Sequence, residues 1–163
     1  MPAPYGTITQ PLSSQERDAL LGIAQGRTTA ETAADMGVSE STVKTYILRT
    51  GGKLGAVERA AMVELAYRQH HLDVPLPLDH LAHLPDGQRS ILDELAGGKT
   101  VEQIAADEQR LLSDVRKDAR RMLRALGASS AAHAVTRGWQ LGLLGPAAGP
   151  GAFGDVASVA GPA

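Results

Sequence analysis

The chain has 163 residues with 16 basic and 18 acidic side chains, a net charge of −2, and no cysteine. That balance argues against a protein that coats polyanions indiscriminately, and the missing thiols exclude disulfides and thiolate zinc sites. The start, Met1-Pro2-Ala3-Pro4-Tyr5, lacks the basic and apolar regions of a secretion signal, and no apolar run approaches the ~20 residues that span a bilayer, so the expected location is the cytoplasm.

Residues 1–11, rich in Pro, Gly and Thr, are expected to form a flexible lead-in. Ser13-Ser14-Gln15-Glu16 has the form of a capping box, and Leu20, Leu21 and Ala24 follow at helical spacing before Gly26 stops the first helix. Thr28-Thr29-Ala30-Glu31 repeats the device and opens a second helix through Ala33, Ala34 and Met36, ended by Gly37 where a positive φ is cheap. Ser39 caps a third helix with Val43 and Ile47 inward at i, i+4. Gly51 and Gly52, each costing about 1 kcal/mol relative to alanine in a helix, predict that this third helix ends early or bends. A fourth helix is expected from about Glu58 to about His70, buried along Ala60, Val63 and Ala66 or Tyr67. The stretch 71–83, stiffened by Pro75 and Pro77, reads as a linker.

From there the sequence restates itself. Residues 12–67 lie on 84–139 without a gap at an offset of 72, with identities such as Leu12/Leu84, Arg17/Arg89, Gly26/Gly98, Thr28/Thr100, Asp35/Asp107, Val43/Val115 and Leu54-Gly55-Ala56 on Leu126-Gly127-Ala128. A fixed period of this size is a repeated domain-sized unit, and a unit of about 60 residues lies near the lower limit for folding alone. Thr100-Val101-Glu102-Gln103 is again a capping box, and Val115, Ala119, Met122 and Leu126 give the inward stripe of the copy's third helix. Its fourth helix is expected over about Ser130 to Leu144. Gln109, Arg110 and Leu111 replace Gly37, Val38 and Ser39, so the turn glycine and the cap are gone and the third helix is expected to begin at Ser113 or Asp114. Asp118, in place of Tyr46, is expected to face phosphate unfavourably. The tail 145–163 collapses to Gly, Pro, Ala and Val and reads as disordered.

A short helix, a Gly turn and a Ser-capped helix with polar residues outward is the arrangement that lets the second helix lie in a DNA major groove. Lys44, Thr45 and Leu48 fall opposite Val43 and Ile47, so Lys44 can donate to guanine while Thr45 or Leu48 meets a thymine methyl. Ser39 and Thr42 sit at the positive end of the helix dipole, which favours phosphate oxygens. Arg49 and Lys53 are candidate backbone contacts, and Arg27 and Thr28 at the head of the second helix complete the first copy's set. In the second copy Arg110, Arg116, Lys117, Arg120, Arg121 and Arg124 stand against only Asp114 and Asp118, and the last five cations are its candidate DNA contacts.

Copy one, LSSQERDALLGIAQGRTTAETAADMGVSESTVKTYILRTGGKLGAVERAAMVELAYRQ, resembles the LuxR/NarL (GerE-type) helix-turn-helix family. The likeness is in its L-S-S-Q-E start, its G-R-T-T-A-E-T-A second helix, its G-V-S-E-S-T-V-K-T turn and recognition helix, and its K-L-G-A close. Copy two is similar to the same family chiefly through the repeat. The resemblance implies an all-α fold of two tetrahelical modules in tandem, 12–70 and 84–144, the second degenerate. It also implies that Lys44, Thr45 and Leu48 read bases, and that a bacterial transcription regulator of double-stranded DNA results, nucleoid-associated. Since the family usually dimerises through its fourth helix, two joined copies could imitate that dimer. With no sensor domain read ahead of residue 12, control is expected from abundance, a partner or oligomerisation.

Other readings stay open beside this one. Copy two could be a dimerisation or RNA polymerase-binding module, or the whole protein an adaptor that sequesters another regulator, and a homodimer is a further candidate assembly. Tyr67 and Trp139, at matching places, read as core or as interface residues. No nucleophile, base and orienter grouping is legible, no cofactor motif is present, and His70, His71, His80 and His83 in a proline-containing linker make a poor metal set, so neither enzyme nor metalloprotein is expected.

Overall fold

A computed structural model describes residues 10–80 and 83–146. Those residues form helices and connecting turns: α1 (Ser14–Ala24), α2 (Thr29–Met36), α3 (Glu40–Leu54), α4 (Arg59–Arg68), α5 (Asp86–Ala96), α6 (Val101–Asp107), α7 (Leu112–Leu126) and α8 (Ala131–Gln140). Helices α5, α7 and α8 begin and end 72 residues after α1, α3 and α4, and α6 is one residue shorter than α2. Residues 1–9 and 147–163, most of the lead-in and of the tail expected above, lie outside the described residues. No helix among those described is long and apolar enough to cross a membrane.

Local chemistry accounts for the helix ends. Thr28 and Thr100 each complete a reciprocal capping box, with Glu31 and Gln103 respectively, which satisfies two orphan donors at each helix start. Ser13 also caps α1, but Glu16 does not return the bond. Its carboxylate is buried and binds Lys53 instead, so the first capping box expected from sequence is half made. The fourth helices are shorter than expected: α4 ends at Arg68 and α8 at Gln140, after which the chain turns back and buries Leu72 in one case and Leu143 and Leu144 in the other.

Two further expectations are corrected. Helix α3 neither stops early nor loses its end at the glycine pair; it runs to Leu54 and closes on Gly55 with φ 73°. The reason is packing: a Cβ at position 51 would lie 2.5 Å from the Ala56 carbonyl oxygen and 2.6 Å from Met62 Cε, so glycine is what allows the α3–α4 turn to close. Helix α7 starts at Leu112, ahead of Ser113 and Asp114, because Gln109 adopts φ 54° where Gly37 has φ 66°, and the turn survives without its glycine. What is lost is the cap, since Leu111 offers no side-chain acceptor to α7.

One hydrophobic core runs through all eight helices, with Leu20, Val43, Val63 and Tyr67 continuous with Ile91, Ile104, Val115, Met122 and Val135. The halves meet along α4 and α8, flanked by α1 on α8 and α5 on α4. Tyr67 shares a 2.9 Å hydrogen bond with Thr136, and Trp139 Nε1 donates to Glu64 Oε2 at 2.6 Å. These two bonds are counterparts at the same 72-residue offset, so exchanging the halves maps one onto the other. The two rings pack on each other with centroids 5.4 Å apart, and the Arg68 guanidinium lies 5.9 Å from the Trp139 ring centre. Core and interface, kept apart as alternatives for Tyr67 and Trp139 in the sequence, are thus one place. Burial raises the Tyr67 phenol above its usual range, with the Thr136 bond opposing.

The flanks of the seam are also counterparts. Gly26, with φ 86°, faces His133 and Ser129 with no room for a Cβ, while Gly98, with φ 98°, faces Ala61. Ser129 Oγ donates to the Gly26 carbonyl at 2.8 Å, and the Ser129 N–H donates to His133 Nδ1 at 3.1 Å. Burial, aided by Arg137, lowers the His133 pKa, which suits a neutral ring whose Nδ1 accepts.

Candidate nucleic-acid interface

The first half builds one outward helix face from sequence-local causes. Gly37 in the left-handed region turns the chain after α2, the Val38 N–H bonds back to Ala33, and Ser39 caps α3 by accepting from the Thr42 N–H at 3.1 Å. Val43 and Ile47 then enter the core and fix the roll of α3. Lys44, Thr45, Leu48 and Arg49 are left exposed on the other side, Leu48 at 76%. Thr45 Oγ1 is held by the Ser41 carbonyl at 3.1 Å, and Ser39 and Thr42 hydroxyls lie 2.9 Å apart at the head of the helix.

Ion pairing separates the candidate cations. Among the described residues, Lys44 and Arg49 have no carboxylate partner within ion-pair reach, so their charge is open to a ligand. Arg27 is exposed but pairs with Asp35, and the same pair recurs as Lys99–Asp107 at 2.8 Å. Thr28 spends its hydroxyl on the α2 cap. Lys53 is turned inward, bonding Glu16 at 3.0 Å and the Pro11 carbonyl at 3.2 Å; it ties the start of α1 to the end of α3 and does not join the exposed set.

On α7 the corresponding face carries Arg116, Lys117, Arg120, Arg121 and Arg124, all exposed, with Val115, Ala119, Met122 and Leu126 buried behind them. Arg116 pairs with Glu102 at 3.2 Å, both side chains in solvent where such a pair is weak, and Arg121 approaches the half-buried Asp118 at 3.7 Å. Lys117, Arg120 and Arg124 have no such partner among the described residues. Asp118 does not present a bare charge to an approaching phosphate, as the sequence led us to expect. It is half-buried and paired with Arg110 at 2.5 Å. Positions 110 and 118 correspond to Val38 and Tyr46, which pack partly buried against the core of the first half, so an apolar pair there has been replaced as a unit by an ion pair here. In the aligned repeat the change shows only as one site gaining a cation and another an acid, without the pairing between them.

The polar elements of the seam, Glu64 and Thr136, were missed from sequence because a helix stripe marks apolar positions and both stand inside one. Their common offset was the available signal. Among the described residues no three His, Cys, Asp or Glu side chains gather into a metal-binding group.

Comparison with known proteins gives the first half a family. Residues 10–66 match the family of bacterial regulatory proteins described as the luxR family. Over 62 residues the chain is 47% identical to the probable transcriptional regulatory protein NarL of Mycobacterium tuberculosis, in strains CDC 1551 / Oshkosh and ATCC 25618 / H37Rv alike. The match covers 38% of this chain and 29% of each relative, so the chain spans well under two thirds of the curated relatives it matches. No solved structure matches the chain. Residues 10–66, with their capped helices, glycine turn and outward α3, are a helix-turn-helix domain of the luxR family.

Proposed function

We propose that the protein is a transcription regulator that binds double-stranded DNA in a sequence-specific way, with α3 as the reading element. The observation that carries this is the outward face of α3, where an open lysine, a threonine, a largely exposed leucine and an open arginine stand on a helix whose opposite side is locked into the core. A cation that donates to guanine beside groups that meet thymine methyls is the chemistry of base-edge readout. Similarity to the luxR family and to the NarL relatives supports the same reading.

On this reading the chain divides into module 1 (12–70), a linker (71–83) and a degenerate module 2 (84–144), and the two modules act as a dimer within one polypeptide. Module 1 supplies Ser39, Thr42, Lys44, Thr45, Leu48 and Arg49. Module 2 adds Arg116, Lys117, Arg120, Arg121 and Arg124 on the phosphate backbone. The recurrence of helix ends at one offset and the interchangeable seam bonds support this arrangement. Lys53, turned inward onto the buried Glu16, contributes to the domain's own structure instead, while Arg27, whose pair with Asp35 lies in solvent like that of Arg116, stays with module 1.

The test is a shift assay on duplex selected by the full chain. The Lys44→Ala, Thr45→Ala double variant is expected to weaken binding by about tenfold or more, as loss of a base contact does; unchanged binding would remove the proposal. One observation favours a second reading in which α7 docks a protein partner such as RNA polymerase, namely Leu111, which is 70% exposed where module 1 has Ser39. Under that reading the Arg116→Ala, Lys117→Ala, Arg120→Ala, Arg124→Ala variant keeps wild-type DNA affinity and salt dependence.

A further inference from the structure

We infer that the DNA target is one-sided: a single specific half-site read by α3, continued on one flank only by about one helical turn of duplex whose sequence is immaterial and whose phosphates α7 holds. The inference rests on the reading of α3 proposed above and adds the shape of the operator to it.

The fold supplies the geometry. Exchange of the halves carries α1 on α8 into α5 on α4, Gly26 against His133 into Gly98 against Ala61, and Tyr67–Thr136 into Trp139–Glu64. That exchange is the operation of an isologous twofold interface, achieved between unlike partners. Two helix-turn-helix units so related address duplex positions about 10 base pairs apart, centre to centre. Here the relation is held by a buried seam inside one chain, so the second unit always falls on the same side of the first.

The side chains break the symmetry. At the places of Lys44, Thr45, Leu48 and Gly52, helix α7 carries Arg116, Lys117, Arg120 and Arg124, long cations in each case. The hydroxyl and the exposed leucine that could meet a thymine methyl have no counterpart. In helix-turn-helix proteins the N-terminal residues of the reading helix meet the base edges. That end of α7 has an exposed leucine for its cap and Asp114 in its first turn, replacing Ser39 and Thr42. A carboxylate between phosphate walls is repelled by both. The cations begin at the places of Lys44 and Thr45, where Arg116 is already engaged by Glu102 at 3.2 Å, and the acid among them, Asp118, is neutralised by Arg110. What remains is a face better suited to backbone charge than to reading sequence.

The experiment begins with the full chain selecting duplexes from a random-sequence pool. The recovered half-site is then placed in duplexes extended by about 10 base pairs of arbitrary sequence on the left, on the right, on both sides or on neither. Extension on one side is expected to tighten binding about tenfold or more at low salt, whatever its sequence, and extension on the other to change it less than twofold. The Arg116→Ala, Lys117→Ala, Arg120→Ala, Arg124→Ala variant is expected to lose that gain along with up to about three to four units of salt slope, at ~0.9 per phosphate contact. The Arg116→Lys, Arg120→Lys, Arg124→Lys variant is expected to keep it, since a phosphate grip needs charge and not a guanidinium fork. Equal gains on both sides, a gain that depends on the flank's sequence, recovery of an inverted repeat, or loss of the gain in the lysine variant would each overturn the inference. Insensitivity of the bare half-site to Lys44→Ala, Thr45→Ala would instead strike the reading of α3 itself.

Discussion

At position 51 an added Cβ would meet the Ala56 carbonyl and the Met62 methyl at 2.5 and 2.6 Å, whereas at position 52, one residue on, it would meet nothing within 4 Å. The two glycines therefore call for opposite outcomes. Gly51→Ala forces the α3–α4 turn apart and is expected to cost about 1–3 kcal/mol, the usual range for overpacking. Gly52→Ala, exposed inside a helix, is expected to stabilise by up to about 1 kcal/mol. Thermal denaturation of the two variants checks both signs, and a neutral Gly51→Ala would show that the close approach is absent. The sequence alone assigned both glycines the same helix penalty, because propensity is a property of the residue while the Ala56 carbonyl arrives from outside the helix. For the same reason Lys53 looked like a DNA contact: its position on α3 was legible, but the buried carboxylate of Glu16 that claims it lies 37 residues away.

Helices α3 and α7 have the same length and the same inward stripe, and they differ at their heads. Ser39 Oγ accepts from the Thr42 N–H of α3, whereas no side chain caps α7 and the matching Asp114 N–H falls back on the Leu111 carbonyl at 3.0 Å. Ser39→Ala is expected to destabilise the protein by about 1 kcal/mol, and Leu111→Ser to stabilise it by a similar amount, both read from chemical denaturation midpoints. A Leu111→Ser variant no more stable than the parent would mean that the leucine's own packing outweighs the missing cap. Helix existence, phase and most ends were legible in the sequence because capping boxes and i, i+4 stripes are local signals. The start of α7 was not, since Gln109 takes a left-handed turn that glycine takes more cheaply and only the surrounding fold enforces it. The pairing of Asp118 escaped for a related reason: a charge on an outward stretch reads as solvated until a partner from the preceding turn is placed beside it.

The continuous core and the buried seam make the described residues one cooperative unit, which suits copies of about 60 residues that are each near the lower limit for folding alone. Trp139 is the chain's one tryptophan and lies at that seam, with Tyr67 on one face and Glu64 on its indole N–H. Its fluorescence therefore reports separation of the halves, while far-UV circular dichroism reports helix content across both. In urea the two transitions are expected to coincide, as they do for a two-state unit. A fluorescence change that precedes the loss of helix would show that the halves part before either unfolds. The repeat was legible at the scale of the whole chain. The way its copies meet was not, because Glu64 and Thr136 look like ordinary polar interruptions until each is seen to receive the other half's aromatic ring.

The covering of α4 by α8 also bears on how such a regulator would respond to its own dosage. A protein that must find a second copy before engaging its site responds to the square of its concentration at low abundance, which sets a threshold. Under the proposed reading the companion surface is carried on the same chain, so occupancy would follow the first power of concentration. A titration of DNA with the chain would then trace a simple hyperbola with a Hill coefficient of about 1. A gene under its control would be tuned in proportion to synthesis, a dimmer where a self-assembling regulator would be a switch.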